Sequence, residues 1–183
     1  MISGRRRHAF RVPLLLGVLL AAALAATGCT TLHQPSAAGP VAATEKAAGT
    51  PVALTFTGKT LDGAAFDAAS LAGKPALLWF WAPWCATCAS EAQSVADLYD
   101  EYSDRLGILG IGGLGTTEAM HEFVRDLEVE KVPHLDDAAG KIWQRFGIAQ
   151  QSWYVMIDPA GSIVYRGYLD DLQLTEKVRT LTA

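Results

Sequence analysis

The chain has 183 residues, of which half are hydrophobic and 19% are charged, and its formal net charge is −4. This length suits one domain with appendages and leaves little room for two packed domains. The composition is typical of a globular core and argues against extended disorder, while the acidic balance argues against binding to nucleic acid, where phosphate contacts need clustered lysine and arginine.

The N-terminus is typical of an export signal. Four arginines within the first 11 residues precede an uncharged apolar stretch of 15 residues at positions 12–26, whereas a membrane-spanning helix needs about 20. Small residues then lead to a cysteine in Ala26-Thr27-Gly28-Cys29. This segment resembles the lipobox of bacterial lipoproteins, in which the cysteine is lipidated and becomes the first mature residue. We therefore predict a lipoprotein signal at residues 1–28, with an ordinary secretory signal as the alternative.

Loss of residues 1–28 would remove four of the 15 basic residues and none of the 19 acidic ones, so the mature net charge would be −8. Because no polybasic patch remains, attachment to the cell membrane would depend on the lipid at Cys29. Residues 29–51 contain few large apolar side chains and many Ala, Pro, Thr, Ser and Gly, which predicts a flexible tether. Residues 52–183 then form a single extracytoplasmic domain.

The domain begins with a predicted hairpin. Residues 54–56 alternate like a strand, Leu61-Asp62-Gly63 supplies a turn, and Phe66 followed by residues 70–73 indicates a short return strand and a helical turn. The continuous apolar and aromatic run at residues 76–81 predicts a strand that is covered on both faces and belongs to the core, rather than to a cofactor site.

Helices and strands then alternate along the chain. Apolar residues recur mostly at helical spacing from Cys85 to Tyr102, which predicts a helix that opens at the cysteine pair. Further patterns predict strands at residues 106–111, 153–157 and 163–168, and helices at residues 117–128, around Trp143 and Phe146, and at residues 172–181. This order predicts an α/β fold with a central mixed β-sheet and helices on both faces.

The chemistry is concentrated in Cys85 and Cys88, within Trp84-Cys85-Ala86-Thr87-Cys88. At the first turn of a helix, unpaired backbone N–H groups and the helix dipole favour an anion, so we expect Cys85 to have an enlarged thiolate fraction. The thiolate is the nucleophilic form. Cys88 lies one turn further on the same face, close enough to form a disulfide with Cys85 or to attack a mixed disulfide. One cysteine therefore attacks and the other resolves.

Two other interpretations of the pair remain open at this point. A zinc site needs four ligands, but the only other cysteine is Cys29 and the histidines show no paired spacing. A purely structural disulfide is conceivable in an oxidising compartment, although stabilising bridges tend to close longer loops. We expect His121 and His134 to be ordinary helix-surface and loop residues. The sequence thus offers no cofactor or metal site beyond the redox-active dithiol.

Residues 80–91 read Phe-Trp-Ala-Pro-Trp-Cys-Ala-Thr-Cys-Ala-Ser-Glu. This segment resembles the active-site segment of the TlpA/ResA/DsbE branch of the thioredoxin superfamily. With its signal, Leu61-Asp62-Gly63, Gly73-Lys74-Pro75 and Asp158-Pro159-Ala160-Gly161, the chain resembles more narrowly the DsbF-type lipoproteins of actinobacteria, over roughly residues 52–183. The resemblance implies a thioredoxin-like fold and thiol–disulfide exchange with exported proteins that bear thiols or disulfides. It also implies a redox partner in the membrane or the extracytoplasmic space.

The resemblance further assigns supporting roles around the motif, which includes Pro83. Trp84 would cover one side of the disulfide and shape the substrate surface, with simple core packing as the alternative. Glu91 would lie near Cys88 as a proton carrier during exchange, with a solvated helix glutamate as the alternative.

Three positions depart from the pattern of these relatives. Ala86 and Gln93 replace prolines, and Ser152 stands where thioredoxin-like proteins usually have a cis-proline before the strand that faces the cysteines. Because a cis peptide without proline costs about 2.5–4 kcal/mol, we expect the Gln151–Ser152 bond to be trans. The hydroxyl of Ser152 would then be available to bond a thiolate.

The predicted function is thiol–disulfide exchange outside the cytoplasm, in a direction set by the reduction potential. A thiol peroxidase is one alternative, since peroxiredoxins share the fold, although Ala82 occupies the position of the threonine in their active-site frame. A redox-inactive lipoprotein binding module of the same fold is the other.

Overall fold

The structure is a computed structural model that describes residues 52–183. The predicted signal, the lipidation site Cys29 and the tether lie outside the described residues. The strands are β1 (Thr57–Lys59), β2 (Ala65–Asp67), β3 (Ala76–Trp81), β4 (Gly107–Gly112), β5 (His134–Asp136), β6 (Trp153–Ile157) and β7 (Ile163–Gly167). The α-helices are α1 (Ala86–Tyr102), α2 (Thr117–Asp126), α3 (Lys141–Arg145) and α4 (Asp171–Leu181), and short 3₁₀-helices span Val52–Leu54 and Ala68–Leu71.

Five strands form the central sheet in the order β5-β4-β3-β6-β7, and β1 pairs with β2 in a separate hairpin. Strands β3, β4 and β5 run parallel, whereas β6 and β7 join antiparallel to their neighbours. Parallel strands need a crossover, which α1 and α2 provide, and the antiparallel pair β6–β7 needs only a tight turn. The predicted mixed sheet and the N-terminal hairpin are confirmed.

Strand β3 lies at the centre of the sheet, and all six of its residues are buried. Its side chains alternate between two hydrophobic clusters, one on each face. Leu77, Trp79 and Trp81 pack with α1, α2 and α4, whereas Ala76, Leu78 and Phe80 pack with α3 and the N-terminal segment. The aromatic run is therefore core, as expected, and the chain leaves β3 directly into the cysteine motif.

Two predictions about the elements were wrong. Residues 54–56 form no strand: the chain makes a 3₁₀ turn over Val52–Leu54, and β1 begins only at Thr57. Leu54 and Phe56 are both buried, and Phe56 packs edge-on against Phe146, so the alternating pattern reflects anchoring to the core rather than strand pairing. Strand β5 was missed, because three residues after a proline carry no readable periodicity.

His134 is the first residue of β5 and is buried, so the prediction of an ordinary loop residue was wrong. Its Nδ1 accepts a hydrogen bond from the Trp81 indole at 3.2 Å, and its Nε2 lies 3.1 Å from the carbonyl oxygen of Val129, to which it donates. Burial lowers the pKa of His134 to about 4, so the ring is neutral at physiological pH. His134 thus bridges β3 and the segment before β5. His121 is exposed on α2, as expected.

Candidate active site

The cysteine pair lies where β3 leads into α1. Cys85 is the N-cap residue of α1, with extended backbone angles of φ −87° and ψ 107°, and its sulfur accepts a hydrogen bond from the backbone N–H of Cys88 at 3.0 Å. The two cysteines form a disulfide with a Cα–Cα distance of 5.2 Å. The predicted helix start and the predicted disulfide are both present.

The position of Cys85 favours a negatively charged sulfur. An N-cap side chain normally offers an oxygen to the unpaired N–H groups of the first turn, and here Sγ takes that place. The first turn of α1 contains no acidic residue, so no nearby charge on the helix opposes the dipole. After reduction, a Cys85 thiolate can keep the hydrogen bond from Cys88, which lowers the free energy of the ionised form.

The two cysteines differ in accessibility. The exposed fraction of Cys85 is 5%, whereas that of Cys88 is 0%. A substrate group can therefore reach Cys85 first, and Cys88 can react only with a group already bound at Cys85. This asymmetry favours attack at Cys85 over attack at Cys88.

Trp84 lies on the surface beside the disulfide. Its exposed fraction is 60%, which excludes the core-packing alternative, and its indole N–H donates to the carbonyl of Leu114 at 2.7 Å. Leu114 is itself 52% exposed and adopts a left-handed conformation with φ +54°, which is unusual for a leucine. Two large apolar side chains are thus presented to solvent next to the reactive sulfur.

A groove of about 460 Å³ opens beside these side chains. Its lining includes Pro83, Trp84, Cys85 and Ala89 on one side and Phe123 of α2 with the following Leu127 on the other. Pro83 packs closely on Gly115, because a Cβ atom added to this glycine would lie only 2.8 Å from Cδ of the proline ring. The groove is lined mainly by apolar side chains, with Glu122 and Asp126 of α2 also in its lining, and it leads to Cys85.

Glu91 lies inside the protein, one helical turn after Cys88. Its exposed fraction is 3%, so it is not a solvated helix residue. Oε1 accepts a hydrogen bond from the Ser152 hydroxyl at 2.5 Å, and Oε2 accepts one from the Trp79 indole at 3.3 Å. Burial raises the pKa of the Glu91 carboxyl, and the hydrogen bonds from Ser152 and Trp79 oppose that rise. Because burial favours the protonated form, this carboxyl holds a proton at a higher pH than an exposed glutamate does, which suits it to carrying a proton.

Tyr154 completes this buried polar cluster. Its hydroxyl is buried and makes no hydrogen bond within the described part of the chain. Burial, followed by the charge of Glu91, raises the pKa of Tyr154 far above its ordinary value, so the phenol stays protonated. The pattern at residues 153–157 predicted a strand, and no sequence signal linked Tyr154 to Glu91.

Ser152 directly precedes β6, and its hydroxyl is bound to Glu91 in this oxidised structure rather than free for a thiolate. Its backbone N–H donates to the carbonyl of Phe80 at 2.8 Å, and its φ is +66°. The other two replacements lie on α1: Ala86 is its first residue, and Gln93 is exposed and bonds Asp97.

Two structural features are absent from residues 52–183. No group of three or more His, Cys, Asp or Glu side chains in this part of the chain is arranged to hold a metal ion. None of the helices described here has the length and apolar character needed to cross a membrane.

A sequence profile of the AhpC/TSA family matches residues 50–166, which is more than half of the chain. The chain belongs to the AhpC/TSA family. Among curated members, the soluble secreted antigen MPT53 of Mycobacterium tuberculosis is 37% identical over 125 residues, which cover 68% of this chain and 71% of MPT53.

Solved structures agree with this family assignment. The structure of M. tuberculosis DsbF has a TM-score of 0.69 and 41% identity, and the match covers 73% of this chain and all of DsbF. A secreted M. tuberculosis disulfide oxidoreductase described as homologous to DsbE of Escherichia coli has a TM-score of 0.65 and 34% identity, over 70% of this chain and 98% of that one. The predicted resemblance to DsbF-type proteins of thioredoxin-like fold is confirmed.

Proposed function

We propose that this member of the AhpC/TSA family is an extracytoplasmic thiol–disulfide oxidoreductase that exchanges its Cys85–Cys88 disulfide with the thiols or disulfides of exported proteins. The observation that carries the proposal is the disulfide at the N-cap of α1, with only Cys85 reachable from the groove. The related DsbE homologue is named a disulfide oxidoreductase.

In the reducing direction, the Cys85 thiolate attacks one sulfur of a substrate disulfide. The substrate S–S bond breaks, one substrate sulfur leaves as a thiolate, and a mixed disulfide to Cys85 forms. Cys88 then loses its proton to the Glu91 carboxylate and attacks Cys85 Sγ. The mixed disulfide breaks, the second substrate sulfur leaves, and the Cys85–Cys88 disulfide forms as two electrons pass to the substrate.

In the oxidising direction, the same steps run backwards. A substrate thiolate attacks Cys85 Sγ, because Cys88 is buried, and Cys88 leaves as a thiolate that takes the proton of Glu91. A second substrate thiolate then attacks the substrate sulfur of the mixed disulfide, the substrate disulfide forms, and Cys85 leaves as a thiolate, so that two electrons pass from the substrate to the cysteine pair. The reduction potential of the pair relative to that of the substrate determines which direction prevails.

The exposed side chains of Trp84 and Leu114 and the adjoining groove are suited to an extended, apolar substrate segment around the reacting cysteine. Such segments are accessible in exported proteins before folding is complete. The hydrogen bond to the Leu114 carbonyl holds the Trp84 indole in place. Because this apolar surface is already rigid, binding a substrate to it costs little conformational entropy.

Exchange can be tested with the purified domain, residues 52–183, in both directions. We expect the reduced form to speed insulin reduction or the oxidised form to speed disulfide formation in a reduced, unfolded model protein, and both activities to vanish in Cys85→Ser. Consumption of peroxide that depends on Cys85, without exchange, would instead favour the thiol peroxidase. Absence of both activities would favour the redox-inactive binding module and refute the proposal.

The proposed location depends on residues outside the described part of the chain. Residues 1–28 would direct export, Cys29 would carry the lipid, and residues 29–51 would tether the domain to the cell membrane. The secreted relatives support a place outside the cytoplasm.

A lipid anchor at Cys29 predicts that the full chain and its Cys29→Ala variant differ in membrane association when both are expressed in a bacterium. We expect the wild-type chain to sediment with membranes, to require detergent for release and to start at a lipid-modified Cys29 by mass spectrometry. The variant should lack the lipid and escape into the soluble fraction. An unmodified, soluble wild-type protein would support the ordinary secretory signal instead.

A further inference from the structure

We propose that Ser152 is a positioning residue of the exchange reaction, which holds the Glu91 carboxylate and sets the pH range in which that carboxylate accepts the proton of Cys88. The inference rests on the proposed function and deepens it. It assigns a task to the one residue that stands where relatives carry their cis-proline.

The first observation is the strength of the hydrogen bond between Ser152 and Glu91. Of the two groups that hold Glu91, the Ser152 hydroxyl lies 2.5 Å from Oε1, whereas the Trp79 indole nitrogen lies 3.3 Å from Oε2. Hydroxyl–carboxylate bonds of about 2.5–2.7 Å are charge-assisted and stronger than neutral ones. Both Ser152 and Glu91 are buried, so water does not compete for the carboxylate.

The second observation is that the backbone fixes the Ser152 hydroxyl. The N–H of Ser152 bonds the carbonyl of Phe80 at 2.8 Å, and the next residue, Trp153, pairs with Phe80 across β3 and β6. Strand β3 also supplies Trp79 and continues into the cysteine motif. The hydroxyl, the second donor and the cysteine pair are therefore all positioned by one central strand.

The third observation concerns the groups that face Glu91. Cys88 precedes Glu91 by three residues on α1, Tyr154 of β6 lies close enough to act on the pKa of Glu91, and the Asp171 carboxylate acts on it from the first turn of α4. Burial and the charge of Asp171 favour the protonated carboxyl, whereas the hydroxyl of Ser152 favours the ionised form. Ser152 thus keeps Glu91 able to accept a proton at a lower pH than burial alone would allow.

The Ser152→Gly variant tests this role with little risk to the fold. Glycine adopts a φ of +66° without strain, so the backbone conformation is kept or relaxed while the hydroxyl is lost. A hydrogen bond to a charged group contributes an amount that corresponds to a pKa change of roughly one unit. We expect the loss of the hydroxyl to raise the titration midpoint of Glu91 by about one pH unit.

Two measurements are needed. The first is the ¹³C NMR titration of the Glu91 carboxyl in the reduced protein, assigned by the signal that Glu91→Gln removes. The second is the pH dependence of the resolving step, followed as release of substrate from a mixed disulfide at Cys85. Both midpoints should rise together in Ser152→Gly, whereas Ser162→Gly, in the exposed turn before β7, should change neither.

The Glu91→Gln background separates positioning from a merely structural role. Where residue 91 cannot ionise, Ser152→Gly should leave the pH profile of the resolving step unchanged. An unchanged Glu91 titration in Ser152→Gly would overturn the inference, as would a rate that falls equally at every pH or a shift that persists in the Glu91→Gln background. If the wild-type protein performed no exchange, the proposed function would fail, and the role of Ser152 in exchange would fail with it. If the wild-type protein performed exchange and Ser152→Gly left the pH profile of the resolving step unchanged, only the role of Ser152 would be refuted.

Discussion

The Cys88→Ser variant is expected to stop at the mixed disulfide. Cys85 keeps its N-cap position and the N–H of residue 88, so it can still attack a substrate disulfide, but no second sulfur can release the product. We expect turnover to fall to the uncatalysed level while a covalent complex through Cys85 accumulates. Non-reducing gels and mass spectrometry of the complex measure this directly.

The matched control is Cys85→Ser, which also removes one sulfur and the disulfide. Because Cys88 is fully buried, we expect this variant to lose both turnover and complex formation. In fold and in the loss of the disulfide it is comparable to Cys88→Ser. Efficient formation of mixed disulfides by Cys85→Ser through Cys88 would contradict the assignment of attack and resolution.

The Glu91→Gln variant should slow the resolving step by roughly 10²-fold near neutral pH, at the lower end of the range for general acid–base catalysis. Glutamine keeps the shape of the side chain and can still accept a bond from Trp79 or Ser152, but it cannot accept the proton of Cys88. The loss should shrink as pH rises toward about 8.5, where a free thiol ionises unaided. Stopped-flow measurement of substrate release from the mixed disulfide checks both the size and the pH trend.

The control for this prediction is Glu101→Gln, on the same helix α1 but on its exposed face. The chemical change is identical, so any effect of net charge should appear in both variants. We expect Glu101→Gln to match the wild-type rate. A Glu91→Gln rate within twofold of wild type at neutral pH would remove Glu91 from the proton path.

Local patterns predicted the parts of the fold that depend on short-range signals. The apolar run at residues 76–81 and the pattern at residues 153–157 gave β3 and β6 with their observed bounds, and the motif placed Cys85 at the start of α1. Strand β5 escaped because its three residues are defined by pairing with β4, not by periodicity. His134 was misplaced with it, since its burial follows from that pairing and its bond to Trp81.

The chemistry of the cysteine pair was predictable from the sequence, but the surroundings of Glu91 were not. Its contact with Ser152 joins residues 61 positions apart, and the register between β3 and β6 brings them together. From the sequence we expected a thiolate to be the partner of Ser152. The replaced proline is known in relatives for its place opposite the cysteine pair, and nothing in the sequence connected this position to Glu91. Only the packed sheet places a buried carboxylate within reach of that hydroxyl.

The identity of the attacking sulfur is the central claim, and alkylation of the reduced domain tests it most directly. Iodoacetamide is added for short times across a range of pH, and mass spectrometry locates the modified cysteine. We predict that Cys85 is modified first and that its reactivity reaches half-maximum below about pH 8.5, the value for an unperturbed thiol. Modification of Cys88 first, or a half-maximum at or above that value, would contradict the account.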